Sequence, residues 1–233
     1  MNNSKEDPAA IFDAFAENYD EVQRKNLGAL GKDLSIFARY KVQLTAELLS
    51  FSPKTILEFG CGIGRNLPFF RQLFPGAMLH CCDISNASLQ KVKEMLPEAV
   101  CFNSSSPEAL RPFFETFDLV FLAGVLHHIP LQERQMWVNA LAATIKPGGA
   151  LILFEHNPWN PATRYLVSTC PFDEDVLLLW PRDGLIFLRQ SGLKASRVRY
   201  TLLFPWRHSA FVAVEKFFDR IPLGGQYCIF AEK

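Results

Sequence analysis

The sequence predicts an α/β protein built on a mostly parallel sheet. Short apolar segments rich in strand-forming residues alternate with longer segments whose apolar residues recur at helical spacing. The predicted strands are residues 55–59, 78–82, 99–102, 119–122 and 150–154, and the helices between them are residues 67–74, 85–96 and 131–145, with a weaker helix at 108–114. Because this alternation is typical of βαβ units, we expect ligands to bind beyond the carboxyl ends of the strands.

Length and composition indicate one well-buried globular unit. The chain has 233 residues, of which 49% are hydrophobic and 21 are phenylalanine. Lys and Arg together number 24, as do Asp and Glu, so the chain lacks the basic excess that non-specific binding to nucleic acid uses. No apolar segment approaches the ~20 residues of a membrane span, and no secretory signal is visible.

The six cysteines show neither CxxC pairs nor zinc-ligand spacing. Most of them lie in apolar, strand-like segments, where cysteine behaves as a small hydrophobic residue. We therefore expect a reduced, cytoplasmic protein, and we predict no metal site.

Two helical patterns precede the first predicted strand. Asp7 and Pro8 suit the cap and the first position of a helix. Apolar residues then recur at helical spacing in two groups, Phe12, Phe15, Tyr19 and Val22, followed by Phe37, Tyr40, Leu44 and Leu48. These helices form either a plain layer against the sheet or a lid over a ligand site, and we predict a helical lid over residues 1–50.

The last third of the chain has a different pattern. Helices are predicted at residues 161–167 and 182–190, and strands at 196–204 and 226–231. The segment 205–225 is longer than a hairpin turn and carries an apolar stripe at helical spacing, Phe211, Val214, Phe217, Phe218 and Ile221. Core packing explains this stripe, and an apolar or aromatic ligand is the alternative. The acidic run 173–175 is interpreted as a solvated turn, with recognition of a cationic ligand as the alternative.

Three glycines at alternate positions follow the first predicted strand. Gly60, Gly62 and Gly64 can adopt positive φ and allow a ligand to lie against the backbone, and the helix behind them offers free N–H groups. A dinucleotide fingerprint would need glycine where Arg65 stands, and the Lys-Ser/Thr of a phosphate-binding P-loop is absent. The turn therefore predicts a nucleoside ligand of another kind.

Two carboxylates flank the glycines. Glu58 precedes them, and its negative charge would repel a pyrophosphate but would suit an ammonium group. Asp83 ends the second predicted strand, where an acid can accept hydrogen bonds from both hydroxyls of a ribose.

These residues resemble the motifs of the class I S-adenosylmethionine-dependent methyltransferases. The match consists of residues 58–64, Asp83, residues 117–120 with 126–129, and residues 145–151, in the family's order. The resemblance implies a Rossmann-like sheet of seven strands in the order 3-2-1-4-5-7-6, with the last strand antiparallel and helices on both faces. It also implies a single domain over residues 1–233, divided into a lid (1–50), a cofactor-binding core (51–155) and an acceptor-side part with the C-terminal strands (156–233).

The resemblance implies S-adenosylmethionine as the methyl donor and S-adenosylhomocysteine as the product. The residues expected to bind the donor are Tyr19, Arg39, Glu58, Gly60, Cys61, Gly62, Gly64, Asp83, Ile84, Ser104, Ser105, Ser106, Ala123 and Gly124. Many family members have an acid after the third strand. Here the segment carries three serines instead, so Ser106 or a neighbouring backbone group would contact the adenine, and a plain polar turn is the alternative.

Catalytic candidates follow the fourth and fifth predicted strands. His127 and His128 lie where the methyl group would point, and one of them could act as a general base or could simply pack at the start of a helix. Glu155 and His156 begin a proline-rich loop that serves either as an acceptor site or as a structural turn.

We therefore predict a methyltransferase that transfers a methyl group to a small molecule by in-line displacement. We expect a small-molecule acceptor, for which an apolar or aromatic compound is one candidate class, and we expect no nucleic acid and no membrane span. The alternatives are a cofactor-binding or partner-binding protein without transferase activity, and a nicotinamide-dependent oxidoreductase.

Overall fold

The computed structural model describes residues 8–28, 33–173, 176–203 and 217–233. Its α-helices are α1 (Pro8–Phe15), α2 (Tyr19–Leu27), α3 (Ser35–Leu48), α4 (Leu67–Leu73), α5 (Asn86–Met95), α6 (Arg134–Thr144), α7 (Pro161–Ser168) and α8 (Pro181–Gln190). Its strands are β1 (Thr55–Phe59), β2 (Met78–Asp83), β3 (Val100–Asn103), β4 (Phe117–Ala123), β5 (Ile145–His156), β6 (Lys194–Thr201) and β7 (Gln226–Glu232). Short 3₁₀ helices cover Pro107–Phe113, Leu126–His128 and Pro171–Asp173.

The seven strands form one sheet in the order β3-β2-β1-β4-β5-β7-β6. Strands β1 to β5 pair in parallel, whereas β7 pairs antiparallel with both β5 and β6. The predicted fold class is confirmed, including the antiparallel last strand. The strand order reverses between β1 and β4, and the carboxyl ends on either side of this point define the place where ligands bind in such sheets.

Both faces of the sheet are buried because alternate residues of each central strand point to opposite sides. On β4, Val120 and Leu122 join a core cluster with α6 and α8. Leu119 and Phe121 of the same strand join a second cluster with α3, α4 and α5. Strand β4 is therefore buried on both sides, which explains why the sequence of residues 119–123 is continuously apolar.

Several predicted elements differ from those in the structure. The first predicted helix is two helices, since turns at residues 16–18 separate α1 from α2. The weak helix at 108–114 is a 3₁₀ helix with Pro112 inside it, which removes a backbone donor. Of the apolar stripe in 205–225, Phe211 and Val214 lie outside the described residues, as does Asp7. Phe217 is 85% exposed, so core packing does not account for it.

In the described part of the chain, no helix combines the length and apolar character needed to cross a membrane.

A carboxylate at the amino-terminal edge of the sheet joins three strands. One oxygen of Asp118 accepts hydrogen bonds from the backbone N–H groups of Lys54 and Thr55, each at 2.8 Å. The Lys146 ammonium donates to the other oxygen at 2.8 Å. Burial alone would raise the pKa of Asp118, but these donors outweigh it and hold the pKa below its usual value.

We predict that Asp118→Asn lowers the free energy of unfolding at pH 7 by about 1–2 kcal/mol. Because the folded pKa lies below the unfolded one, this contribution is present above about pH 4 and is lost as the pH falls through the folded pKa. Urea denaturation at pH 7 and at the lowest pH that keeps the wild type folded would measure it. The exposed Glu94→Gln serves as control, and an equal effect of Asp118→Asn at both pH values would contradict the prediction.

Candidate active site

A cavity of about 500 Å³ opens at the carboxyl ends of β1, β2, β4 and β5. Its volume lies within the ~300–1,000 Å³ common for small-molecule sites. Helices α2 and α3 supply part of its wall, with Tyr19, Phe37 and Lys41 facing it. The N-terminal helices therefore take part in enclosing the cavity and are more than a layer on the sheet.

The glycine turn after β1 is held against the end of β2. The N–H groups of Gly60 and Cys61 both donate to the Cys82 carbonyl, at 2.8 and 3.0 Å. A Cβ on Gly60, whose φ is +67°, would lie 2.5 Å from a methyl of Val125, so a side chain is excluded there. Gly62 has φ of +51° and open space where a Cβ would be, and it faces the cavity. The turn thus leaves room for a ligand against the backbone.

Glu58 is 2% exposed and lies in the wall of the cavity. Its Oε1 accepts a hydrogen bond from the Asn66 side chain at 2.6 Å. Its Oε2 is buried and has no hydrogen-bond partner among the described residues. Burial raises the pKa of Glu58 to about 8 despite the Asn66 donor. An unpartnered carboxylate oxygen of this kind is suited to receiving a cationic donor from a ligand.

Asp83 connects the end of β2 to the glycine turn. Its two oxygens accept hydrogen bonds from the N–H groups of Gly62, at 2.7 Å, and Ser85, at 2.9 Å. Burial raises its pKa from the ordinary value. Ser104, which is 2% exposed, follows β3 in the same wall and donates its N–H to the Asp83 carbonyl at 3.0 Å.

Arg65 fastens α2 over the glycine turn. Its guanidinium donates to the side chains of Asp20 and Gln23 and lies 4.7 Å from the centre of the Tyr19 ring. Tyr19 in turn stacks on Phe172, with ring centres 4.5 Å apart. The residue that excludes a dinucleotide fingerprint is therefore the one that anchors α2.

A cluster of ionisable side chains forms the opposite end of the cavity. Glu155 is fully buried, and one of its oxygens accepts hydrogen bonds from the backbone N–H groups of Val125 and Leu126, at 3.1 and 2.8 Å. Its other oxygen lies 2.5 Å from Nδ1 of His127. Glu155 thus fixes the 3₁₀ turn after β4 and orients His127, but it does not itself face the cavity.

Asp173 joins this cluster from a distant part of the chain. Its Oδ1 lies 3.4 Å from Nε2 of His127 and 3.4 Å from Nε2 of His128. Its side chain is only 10% exposed. The interpretation of Asp173 as part of a solvated turn is therefore wrong, because two imidazoles and the 3₁₀ helix Pro171–Asp173 enclose the carboxylate.

The charges of this cluster follow from its packing. Burial disfavours the charged form of His127, but the carboxylates of Glu155 and Asp173 outweigh burial and raise its pKa to about 9. Burial and the charge of His127 lower the pKa of His128 to about 3 and that of His156 to about 4. His127 is thus protonated at neutral pH and unsuited to the role of general base, whereas His128 and His156 are neutral.

The loop after β5 is held in place by the side-chain amides of Asn157 and Asn160. Asn157, which is buried, donates to the carbonyls of Pro222 and Gly224 and accepts the Trp159 N–H. The Asn160 side chain accepts the Thr163 N–H and caps α7, as the sequence predicts. These contacts are structural, and the residues of this part of the chain that line the cavity are His156, at the end of β5, and Asn160.

The structure brings most of the sequence-predicted residues to one cavity. Those in its wall are Tyr19, Glu58, Gly60, Cys61, Gly62, Asp83, Ile84, Ser104, Ala123, Gly124, His127, His128 and His156. Five others lie elsewhere. Gly64 packs on Val92 of α5, and Arg39 is exposed over the Phe69 ring. Glu155 lies behind His127, and Ser105 and Ser106 lie outside the described cavity wall.

Sequence reasoning missed several residues of the cavity. Lys41 faces it, and burial lowers the pKa of this lysine to about 8 although the charge of Glu58 opposes the shift. Gln226 at the start of β7 also faces it, with an Oε1 that is buried and unpartnered among the described residues. Arg65 completes the set. The sequence marks none of these three as part of the cavity, since their contacts are with residues far along the chain. Asp173 belongs to the acidic run for which recognition of a cationic ligand is the alternative interpretation.

Comparison with known proteins supports the interpretation of this cavity. A family profile described as a methyltransferase domain matches residues 57–151. The trans-aconitate 2-methyltransferase of Variovorax paradoxus is 25% identical over 224 residues, covering 85% of each chain. The tRNA N(3)-cytidine methyltransferase METTL2 of Xenopus tropicalis is 29% identical over 116 residues, 46% of this chain and 34% of that protein. The chain thus spans about a third of the length of that relative.

A solved structure of an S-adenosylmethionine-dependent methyltransferase from Archaeoglobus fulgidus has the same fold. Its TM-score is 0.69 at 14% identity, covering 92% of this chain and 99% of the other. The motifs at residues 58–64, Asp83, 117–120 and 145–151 all lie within the part of the chain that the methyltransferase domain profile matches, residues 57–151, and the chain shares its fold with this methyltransferase. The Archaeoglobus fulgidus protein is named for its dependence on S-adenosylmethionine, and in the cavity of this chain the unpartnered Oε2 of Glu58 and the open backbone at Gly62 fit such a ligand.

The turn that carries the histidines depends on a buried arginine. The Arg134 side chain is 2% exposed and donates to the carbonyls of His127, Ile129 and Leu177, at 3.2, 2.9 and 2.5 Å. It thereby joins the start of α6 to the turn after β4 and to the segment before α8.

We predict that Arg134→Leu lowers the free energy of unfolding by about 2–4 kcal/mol, because it leaves buried carbonyls without donors. Urea denaturation would measure the loss. Arg39→Leu is the matched control, since it removes an exposed guanidinium over Phe69 and should cost at most about 1 kcal/mol. Equal losses for the two variants would show that other donors replace Arg134.

Proposed function

We propose that this chain is an active S-adenosylmethionine-dependent methyltransferase with a small-molecule acceptor. The observation that carries the proposal is a single cavity with two chemically different ends. One end has the glycine turn, Glu58 and Asp83, and the other has His128, His156 and Gln226. A donor and an acceptor can therefore occupy one enclosed space and meet within it.

At the donor end, each of the two carboxylates beside the glycine turn would bind a different part of the donor. The unpartnered Oε2 of Glu58 would accept from the ammonium of the methionine part of the donor. Asp83 would accept from the ribose hydroxyls, since each of its oxygens keeps a free lone pair beside the backbone N–H bond that it accepts. Lys41, rather than the exposed Arg39, faces the cavity and would bind the donor carboxylate. Ser104 would lie beside the adenine in place of the family's acid.

The acceptor end supplies a proton acceptor. S-adenosylmethionine supplies a methyl group on a positively charged sulfur, and an oxygen acceptor must lose its proton as the new bond forms. Asp173 engages Nε2 of both His127 and His128. The neutral imidazole of His156 faces the same space and is not held by Asp173. We therefore assign to His156 the role of accepting the proton that the acceptor loses. The helices α1 and α2 would exclude water during the transfer.

Charge and size favour a small acceptor over tRNA. The chain has 24 basic and 24 acidic residues, whereas a protein that binds RNA through its phosphates needs a basic surface. The relatives named for tRNA match this chain over 46 to 68% of its length, while the relative named for trans-aconitate matches over 85%. We therefore favour a compact metabolite that can hydrogen-bond to Gln226.

We predict that Asp83→Asn and Glu58→Gln each weaken S-adenosylhomocysteine binding by about 10–100-fold, because each removes a charge-assisted hydrogen bond. Isothermal titration calorimetry would measure the affinities, with Ser105→Ala as a control outside the cavity wall. Unchanged affinity in Asp83→Asn would place the ribose elsewhere. Binding of NADH in preference to S-adenosylhomocysteine would reject the proposed donor.

The affinity should also depend on pH through Glu58. Its pKa of about 8 in the empty cavity must fall when an ammonium group binds beside it. We therefore predict that the association constant for S-adenosylhomocysteine rises by up to about tenfold per pH unit between pH 6.5 and 7.5. The rise should disappear in Glu58→Gln. A rise of the same size in that variant would mean that another group releases the proton.

The acceptor is tested by transfer of label from methyl-labelled S-adenosylmethionine. The substrates offered are pools of small carboxylic acids, phenols and amines and, separately, unmodified tRNA. Label in a small molecule supports the proposal, and label in tRNA alone overturns the choice of acceptor. With an acceptor identified, His156→Gln should lower kcat by about 10²-fold and leave S-adenosylhomocysteine affinity unchanged.

A further inference from the structure

The cluster at the acceptor end has a second property that methyl transfer does not require. His127, His128 and Asp173 each offer one ligand atom, and these three atoms lie within 4.8 Å of one another. His127 is buried, while His128 and Asp173 are partly exposed and line the cavity. From this arrangement we propose that His127, His128 and Asp173 form a binding site for a divalent transition-metal ion, with Zn²⁺ as the best fit.

The distances suit a tetrahedral ion. Zinc binds imidazole nitrogen and carboxylate oxygen at about 2.0–2.2 Å, so two ligands of a tetrahedral zinc stand about 3.4 Å apart. The Asp173 oxygen lies 3.4 Å from the Nε2 atom of each histidine. Two imidazoles and one carboxylate are also the ligand types that zinc and iron(II) sites use, whereas Mg²⁺ and Ca²⁺ prefer oxygen alone.

The surroundings of His127 match those of metal-binding histidines. Such residues almost always donate their second ring N–H to a carboxylate or carbonyl, which fixes the orientation of the ring. Glu155 does this for His127, with 2.5 Å between its oxygen and Nδ1. Because Glu155 also accepts two backbone N–H groups, neither its carboxylate nor the imidazole can turn freely. In the present arrangement a proton on Nε2 of His127 faces Asp173, and the ion would take its place.

The aromatic side chains around the cluster hold the remaining ligands. Phe12 contacts the His128 ring edge-on, with ring centres 5.3 Å apart. Phe172 precedes Asp173 and is itself held by Phe15, at 4.7 Å, and by Tyr19. Three protein ligands leave a fourth position of a tetrahedral ion open. Since His128 and Asp173 line the cavity, this position faces it and could take an oxygen of the acceptor.

That last role rests on the proposed function, but the site itself does not. The cluster offers a built set of ligands whether or not the chain transfers methyl groups. A bound ion would polarise an acceptor oxygen and lower its pKa, which would assist proton removal by His156.

The experiment measures metal binding directly. Untagged protein is stripped with a chelator, and its affinity and stoichiometry for Zn²⁺ are determined by competition with a chromophoric chelator. Co²⁺ replaces Zn²⁺ in a second measurement, because its visible absorption bands report coordination number and ligand type. We expect one ion per chain, with micromolar or tighter affinity and the spectrum of a four-coordinate nitrogen and oxygen site.

Variants locate the site. Asp173→Asn and His128→Gln should each weaken Zn²⁺ binding at least tenfold, and Glu155→Gln should weaken it by about 10–100-fold through the orientation of His127. His80→Gln is the matched control, since His80 packs against Phe113 and Phe117 away from the cavity. Circular dichroism would check that each variant is folded, and Asp173→Asn is decisive should Glu155→Gln fail to fold.

Two results would overturn the proposal. One is the absence of stoichiometric binding of Zn²⁺ or Co²⁺, which would mean that a proton alone holds the cluster together. The other is binding that Asp173→Asn and His128→Gln leave unchanged, or a Co²⁺ spectrum with thiolate bands, which would place the ion at cysteines. Neither result affects S-adenosylhomocysteine binding, so failure of the metal site is distinguishable from failure of the proposed function.

Discussion

The acceptor end of this molecule depends on one buried carboxylate. Glu155 is the penultimate residue of β5 and has no exposed surface, and a charge in that position is stabilised by hydrogen bonds from the neighbouring turn. The two backbone N–H groups and the His127 ring that satisfy it all belong to the segment after β4. The carboxyl ends of two adjacent strands are thereby locked together at the place where the sheet opens towards a ligand. The position of His127, and through it that of Asp173, follows from this constraint.

The N-terminal helices are fixed by contacts of a different kind. Asp13 in α1 accepts hydrogen bonds from the Ser85 hydroxyl, at 2.6 Å, and from the Ala87 N–H at the start of α5. Arg65, which follows the glycine turn, holds α2 through Asp20. Both anchors lie beside the donor end, on Ser85 and Arg65. At the other end, Phe12 packs on His128 and Phe15 on Phe172. Asn26 of α2 also donates a hydrogen bond to the Leu166 carbonyl of α7 at 2.9 Å, so the N-terminal helices are held by polar contacts on both sides.

The sheet could be predicted from the sequence because its strands are buried on both faces and read as apolar runs, and β1 begins and ends at the predicted residues. Glu58 and Asp83 could be predicted because they are the charged residues at the ends of such runs. Arg39 is predicted to bind the donor, but the structure has Lys41 in the cavity wall instead, for a geometric reason. The two are two positions apart on α3, about 200° around the helix, so only one of them can face the sheet end. For Asp173 the sequence could not decide between a solvated turn and a ligand-binding role, because its partner His127 lies 46 residues earlier and no local pattern distinguishes a buried acid from a solvated one.

The balance of charge along the cavity bears on the chemistry proposed for it. At neutral pH the acceptor end holds two carboxylates, Glu155 and Asp173, and two cations, the His127 imidazolium and the buried Arg134 guanidinium, so these four charges balance. Asp173 lines the cavity, whereas Glu155 and Arg134 lie behind its wall. In the proposed reaction, positive charge would move from sulfur towards the acceptor end, where the carboxylate of Asp173 would stabilise it. The proposed methyl transfer and the proposed cation binding would therefore both use this carboxylate, which is held beside His127 and the buried Glu155.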